Sequence, residues 1–311
     1  MAPRILFAAV RRFLPVALLL ACLAGCGGGD SGDTPEPGTI ALDFQPNAVH
    51  AGIYATDLKI RVPAASTDSL KLLAANRADM SVVDIHDLGL AREAGSDVVG
   101  VGALVQRPLA AVIARAGDIR RPRDLEGKRV GVTGLPSDEA VLHAVIENDG
   151  GDYDKVKRVT IGFSAVPSLI AGKVDAVVAF WNAEGVALRQ RGVKTMEFRV
   201  DDYGAPRYPE LVLVVKRKTL QRRGELVDTM LEAIERGTFR ALDDRDATIR
   251  KLVDASGADE PLMRAQLAAV SRALLPPISL DRQQLEEWAA FDKQFGILKE
   301  EPDVERAFRL R

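Results

Sequence analysis

From Thr39 onward, short apolar runs rich in β-branched residues alternate with amphipathic stretches of helical spacing. TIALDF, LKIRVPA, ADMSVVDI, DVVGVGALV, LAAVIAR, KRVGVTG, VKRVTIGF and KVDAVVAF read as strands, because such runs bounded by polar or Gly-containing breaks fit a buried pleated surface. Ser66 to Ser69 can start a helix at SLKLLAANR. ELVLVVKRKTL is a further strand, and three helical patterns follow it. Leu226, Met230 and Ile234 share one face; Met263, Leu267, Val270 and Leu274 a second; Leu285, Trp288, Phe291 and Phe295 a third, behind Asp281 as N-cap with Gln284 three residues on. Strands alternating with helices predict an α/β fold of βαβ units with parallel sheets. No internal repeat is visible.

Two polar, Pro-containing breaks interrupt the pattern, at Arg120–Gly127 (RRPRDLEG) and Tyr203–Pro209 (YGAPRYP). They predict a discontinuous first domain, 39–119 with 210–311, and a second domain, 120–209, inserted in it. Two linkers between such domains would act as hinges.

The 311-residue chain is 47% apolar, which excludes disorder as its main state, and its formal charge of -2 gives no nucleic-acid footprint. Its two Cys, Cys22 and Cys26, both lie in the N-terminal segment, so the body has no disulfide, thiolate metal site or Cys nucleophile. That segment has a positive start (Arg4, Arg11, Arg12) and an apolar run from Phe13 to Leu23 that is too short for a permanent span. It reads as a signal peptide, residues 1–25. Leu23-Ala24-Gly25-Cys26 resembles a bacterial lipoprotein box, which implies diacylation of Cys26 and cleavage before it. Residues 26–38 then form a flexible polar tether holding the body off a membrane.

Ligands of open parallel sheets bind beyond the carboxyl ends of the strands. The polar residues there are Gln45, Asn47 and His50 after the first strand, Ser66 to Ser69 with Asp68 after the second, and Asp84, His86 and Asp87 after the third. Gln106 and Arg107 follow the fourth. Thr133, Ser137 and Asp138 open a helix in the second block, and Trp181, Asn182 and Glu184 end its last strand.

Within these loops LDFQPNAVHAGIY resembles the signature LDW-x-PN-x-x-HAG-x-Y of bacterial binding proteins for thiamine pyrimidine precursors. GALVQRPLAAVIA, DLEGKRVGVTGLPSDEAVL and VPSLIAGKVDAVVAFWNAEG extend the resemblance over roughly Ile40 to Lys216. The DLEGKRVGV stretch is generic to a wider group that includes sulfonate, nitrate and taurine binders. Phe44 stands where the family usually has Trp, which bears on ligand identity if that ring stacks on the ligand. The resemblance implies a two-domain periplasmic-binding-protein-like (type II) fold that closes on a small molecule in its cleft. It also implies service to an ABC importer permease, with the body monomeric and outside the cytoplasm. The fungal thiamine-pyrimidine synthase shares the fold, but its cysteine-rich iron-dependent motif is missing here.

The expected ligand-binding set is Asn47, His50, Asp68, Asp84, Gln106, Ser137, Trp181, Asn182 and Glu184, with no catalytic residue, cofactor or metal. Trp181 can stack on a flat heterocycle or fill a domain seam. Glu184 can accept hydrogen bonds from an aminopyrimidine edge or serve a helix N-terminus. His50 and Asn47 can reach ligand or cap a helix. Asp84, His86 and Asp87 are close enough in sequence to hint at a metal, but no HxH or HxxxH spacing accompanies them. Tyr54, His143 and Trp288 read as packing. Asp138 at a helix N-terminus argues for capping and against a strongly anionic ligand. Arg107 is the one obvious cation, so a neutral or weakly cationic, nitrogen-rich ligand is expected. Riboflavin, an alkanesulfonate and taurine are the alternatives.

Overall fold

The computed structural model describes residues 38–64 and 68–310. The signal segment, Cys22, Cys26, nearly all of the tether, and Ser66 and Thr67 lie outside the described residues. Each segment read as a strand forms one. The first sheet holds β1 (Thr39–Ala41), β2 (Lys59–Arg61), β3 (Met80–Asp84), β4 (Val98–Val105) and β10 (Leu211–Lys216), in the order β2-β1-β3-β10-β4. The second holds β5 (Ala110–Arg115), β6 (Arg129–Val132), β7 (Lys157–Thr160), β8 (Ala176–Phe180) and β9 (Thr195–Arg199), in the order β7-β6-β8-β5-β9.

Neither sheet is wholly parallel. In each, the fourth strand in order runs against its neighbours: β10 is antiparallel to β3 and β4, and β5 to β8 and β9. The reason is the route of the chain. The parallel strands end at a shared cleft, and β5 and β10 are the strands that arrive from the opposite sheet. A strand entering from the cleft must run away from it. LAAVIAR, expected with the first block, therefore lies in the second sheet, and the chain crosses at residues 106–109 rather than near Arg120. The return crossing occupies residues 200–210. Strand β9 (TMEFR) was not expected; it is a charged edge strand in which Phe198 alone is fully buried.

Helices cover both faces of the sheets. Alternating residues of β3 supply the two layers, Val82 to one and Val83 to the other. Of the helices α1 (Ala51–Tyr54), α2 (Asp68–Ala74), α3 (Ile85–Glu93), α4 (Pro136–Asn148), α5 (Ala165–Ile170), α6 (Glu184–Gln190) and α7 (Arg217–Arg222), α1, α3, α4 and α6 start near the cleft. α8 (Gly224–Asp243), α10 (Glu260–Val270) and α11 (Arg282–Gln294) carry the three predicted stripes, and α9 (Arg245–Ser256) lies between the first two. Met230, Ile234, Met263, Leu267, Val270, Leu274, Leu285, Trp288 and Phe291 are all buried. Asp281 caps α11, accepting the Gln284 N–H at 3.0 Å. Tyr54 packs against the core as expected. Among the described residues no helix is long and apolar enough to cross a membrane.

Candidate functional site

A cavity of about 180 Å³ lies where the two sets of strand ends meet. Asp43, Phe44, Asn47, Asp84, His86 and Asp87 line it from the first sheet. Thr133, Ser137, Asp138, Phe163, Phe180 and Glu184 line it from the second, and Glu210 from the return crossing. Of the expected ligand-binding set, Asn47, Asp84, Ser137 and Glu184 meet here.

The others do not line the cavity, and all but Asn182 have a structural occupation. His50 is fully buried; its Nε2 pairs with Asp43 Oδ1 at 2.6 Å and its Nδ1 accepts the Asn47 N–H at 3.2 Å. It thus fixes Asp43, a lining residue the sequence reading passed over. Asp68 pairs with Lys71 at 2.6 Å in the first turn of its helix. Gln106 Nε2 donates to the carbonyls of Pro276 and Ser279 at 2.7 and 3.1 Å, holding the segment after α10 on β4. Trp181 is 3% exposed; its Nε1 donates to Pro108 O at 3.1 Å and the Arg199 guanidinium lies 4.1 Å from its ring centroid. It is a seam Trp at the first crossing. Asn182 is buried beside it with its Oδ1 unpartnered. Arg107 pairs with Asp201 at 2.6 Å, linking the two crossings, and does not face the cavity.

Three helix N-termini converge on the cavity, and each carries its own carboxylate. Asp84 caps α3 by accepting the His86 N–H at 2.9 Å. Asp138, in the first turn of α4, accepts from Thr133 N at 2.5 Å and Thr133 Oγ1 at 2.7 Å. Glu184, in the first turn of α6, accepts the Phe180 N–H at 3.1 Å. A helix N-terminus without an acidic side chain is an anion site; here Asp84 caps its helix, while Asp138 and Glu184 bond the residues ahead of α4 and α6 and put negative charge at those termini. Asn47 caps the turn before α1 through Val49 N at 3.0 Å.

Glu210 is the main residue that sequence reading missed. It is 1% exposed, accepts the N–H groups of Leu109 and Ala110 at 2.5 and 3.3 Å, and accepts a hydrogen bond from Asp84. Two carboxyl groups can share a hydrogen bond only if one holds a proton. Burial, with Glu210 and Asp292 nearby, pushes Asp84 up to about 7 against the opposing pull of His86, and burial raises Glu210 as well, so the pair shares a proton. The only sequence signal for Glu210 was its place directly after YGAPRYP.

His86 is held in a buried network. Its Nδ1 lies 2.7 Å from Asp292 Oδ1, and its Nε2 lies 3.2 Å from the Tyr208 hydroxyl. Burial is the largest single influence and lowers its pKa, but Asp292, Asp84 and Glu210 together outweigh it and bring it up to about 10. Asp84, His86 and Glu210 do bring potential ligand atoms within 4.8 Å of one another. A charged imidazolium, however, has no lone pair for a metal, and both its nitrogens are engaged. Glu184, Asp138 and Glu210 are also raised, burial being the largest cause for each. Burial, then Asp84, pushes Asp87 up to about 7.

Phe44 and Phe163 approach from opposite sheets, their rings 5.4 Å apart and inclined by 27°. Phe163 is 60% exposed, an unusual position for this residue type. The pair forms a flat, apolar wall beside the carboxylates.

The family model described as NMT1/THI5 like matches residues 50–248. The formylaminopyrimidine-binding protein of Halalkalibacterium halodurans is 31% identical over 82% of this chain and 83% of its own. A putative thiamine biosynthesis protein of Haemophilus influenzae is 29% identical over 64% of this chain and 67% of its own. A protein of Legionella pneumophila named 4-amino-5-hydroxymethyl-2-methylpyrimidine phosphate synthase is 24% identical over 88% of this chain and 91% of its own. Among solved structures, the periplasmic aliphatic sulphonate binding protein SsuA of Escherichia coli matches with a TM-score of 0.72, at 15% identity, over 88% of this chain and 97% of that one. That likeness confirms the expected binding-protein fold. With the motif from Leu42 to Tyr54 running from the end of β1 through α1, and the cavity at the strand ends, the chain belongs to the NMT1/THI5-like family.

Proposed function

We propose that the protein captures a small aminopyrimidine, a thiamine pyrimidine precursor, and delivers it to an ABC importer permease. One observation carries the reading: Asp84, Asp138 and Glu184 stand at the helix N-termini that face the cavity, and no Lys or Arg lines the cavity among the described residues. A sulfonate would meet these acidic groups and no counter-charge there. An aminopyrimidine edge presents N–H donors, and the carboxylates accept them through charge-assisted bonds. Phe44 and Phe163 suit the faces of a flat ring.

The sheets act as two lobes that close on the ligand about the crossings at 106–109 and 200–210. The ligand favours the closed form by contacting both lobes. The protein binds rather than transforms its ligand: the cavity carboxyls are engaged mainly with backbone and neighbouring side chains, and the body has no Cys. Cys26 carries the lipid anchor outside the cytoplasm, and replacing it with Ser should release the body from membranes or leave an unprocessed precursor.

A thermal-shift panel of aminopyrimidines, riboflavin, taurine and alkanesulfonates tests the ligand class. A ligand at 100 times its dissociation constant stabilises the fold by about 2.7 kcal/mol, and aminopyrimidines alone should do so. A shift with taurine or a sulfonate instead would overturn the reading. Glu184→Gln should weaken aminopyrimidine binding by about 1.5–3 kcal/mol, the worth of a hydrogen bond to a charged group; unchanged affinity would remove Glu184 from the recognition set.

A further inference from the structure

Most of the carboxyl groups around the cavity have partners. Asp43 holds His50, Asp84 and Glu210 share a proton, Asp138 holds Thr133, and Glu184 holds the Phe180 N–H. Asp87 differs. It sits half-buried in the first turn of α3, facing the cavity, and among the described residues it accepts no hydrogen bond and pairs with no cation. The charged groups nearest it are the carboxyls of Asp84 and Asp43 and the imidazolium of His86, which is committed to Asp292. A carboxylate so placed lacks a counter-charge in the empty protein. The supply from the protein is closed, since Arg107, the cation expected in the cleft, is paired with Asp201 instead.

We propose that Asp87, backed by Asp43 and Asp84, is the seat of a positively charged nitrogen, so that the site prefers a pyrimidine bearing a protonated primary amine over the corresponding alcohol and excludes its phosphate ester. The inference rests on the aminopyrimidine reading above. An ammonium group supplies the charge that Asp87 lacks and can donate to several carboxylates at once. The alcohol can donate one hydrogen bond but brings no charge. The phosphate ester would bring a charge of about -1.5 to -2 against a wall of carboxyl groups, and each helix N-terminus that faces the cavity already carries an acidic side chain.

Calorimetric titration of the protein with the aminomethyl, hydroxymethyl and phosphorylated hydroxymethyl forms of one aminopyrimidine decides the matter. The amine should bind at least about tenfold more tightly than the alcohol, a difference of about 1.4 kcal/mol, and the phosphate should give no heat of binding. In Asp87→Asn, checked for folding by its melting transition, the preference for amine over alcohol should collapse towards unity. Alcohol binding as tight as amine binding, measurable phosphate binding, or a preserved preference in the folded variant would each overturn the proposal. Because the wild-type comparison stands without the variant, a misfolded variant does not protect the idea. If the alcohol binds and the amine does not, this inference fails and the aminopyrimidine reading survives. If none of the three binds, the aminopyrimidine reading fails and takes this inference with it.

Discussion

Trp181 shows how a residue of promising type can be diverted from ligand to scaffold. Its indole N–H is spent on the carbonyl of Pro108, and its ring face on Arg199. Trp181→Phe keeps a flat apolar ring but leaves that buried carbonyl without its partner, which costs about 1–3 kcal/mol. Urea unfolding should show this loss, while titration with an aminopyrimidine should give an affinity within about a factor of two, or 0.4 kcal/mol. A large drop in affinity with unchanged stability would return Trp181 to the site. His50 makes the complementary case. It does not line the cavity, yet it orients Asp43, so it acts on the site at one remove. The family motif around it is thus largely a device for placing Asp43, Phe44 and Asn47. Those residues were visible in the sequence as a cluster, but which of them faces inward depends on the cap that Asn47 makes and the ion pair that His50 makes.

At the scale of elements, the same motif explains its glycine. Gly52 on α1 packs against α8, where a Cβ on Gly237 would collide with the Gly52 carbonyl oxygen and a Cβ on Gly52 with the Thr238 hydroxyl. The two helices meet backbone to backbone because neither carries a side chain at the contact. Gly237→Ala should therefore destabilise the protein by about 1–3 kcal/mol through overpacking. Gly224→Ala, at the start of the same helix with open space around its Cβ, should instead gain about 0.4–1 kcal/mol from a less flexible unfolded chain. Chemical denaturation of the pair separates close approach from helix propensity; equal effects would show that the contact does not constrain the helices. The predicted stripes on α8, α10 and α11 needed only spacing and were legible, whereas this contact involves residues far apart in the chain and leaves no periodic trace.

The molecule as a whole carries buried titratable groups whose shifts act in one direction with pH. Asp84 and Asp87 reach about 7, above the ordinary carboxylate range, so between about pH 4 and pH 7 the folded protein binds more protons than the unfolded chain. Glu184 and Glu210 shift the same way. His86, brought up to about 10, contributes stability that is full below its unfolded value and fades as pH rises towards its folded one. Both effects make stability fall as pH rises. Urea unfolding of the empty protein should accordingly give a higher midpoint near pH 5 than near pH 9; a flat or rising profile would show that the buried network is not charged as described. Lobe closure belongs to this scale too: the radius of gyration from solution scattering should fall when an aminopyrimidine is added, and an unchanged profile would argue for a rigid cleft.

Local pattern determined a good deal of this protein. Periodicity placed nine strands and the stripes of the C-terminal helices, and charge at the starts of α4 and α6 marked Asp138 and Glu184 as acidic helix termini. These are properties of a few neighbouring residues, so the sequence holds them. The tertiary structure alone decided which sheet β5 joins, that β5 and β10 run backwards, and that Trp181 and Arg107 serve the crossings. It also decided that Glu210 meets Asp84 at the cavity and that Asp87 has no partner among the described residues. Each of these follows from which distant segments come together as the chain crosses twice between sheets, and side-chain type does not encode that crossing.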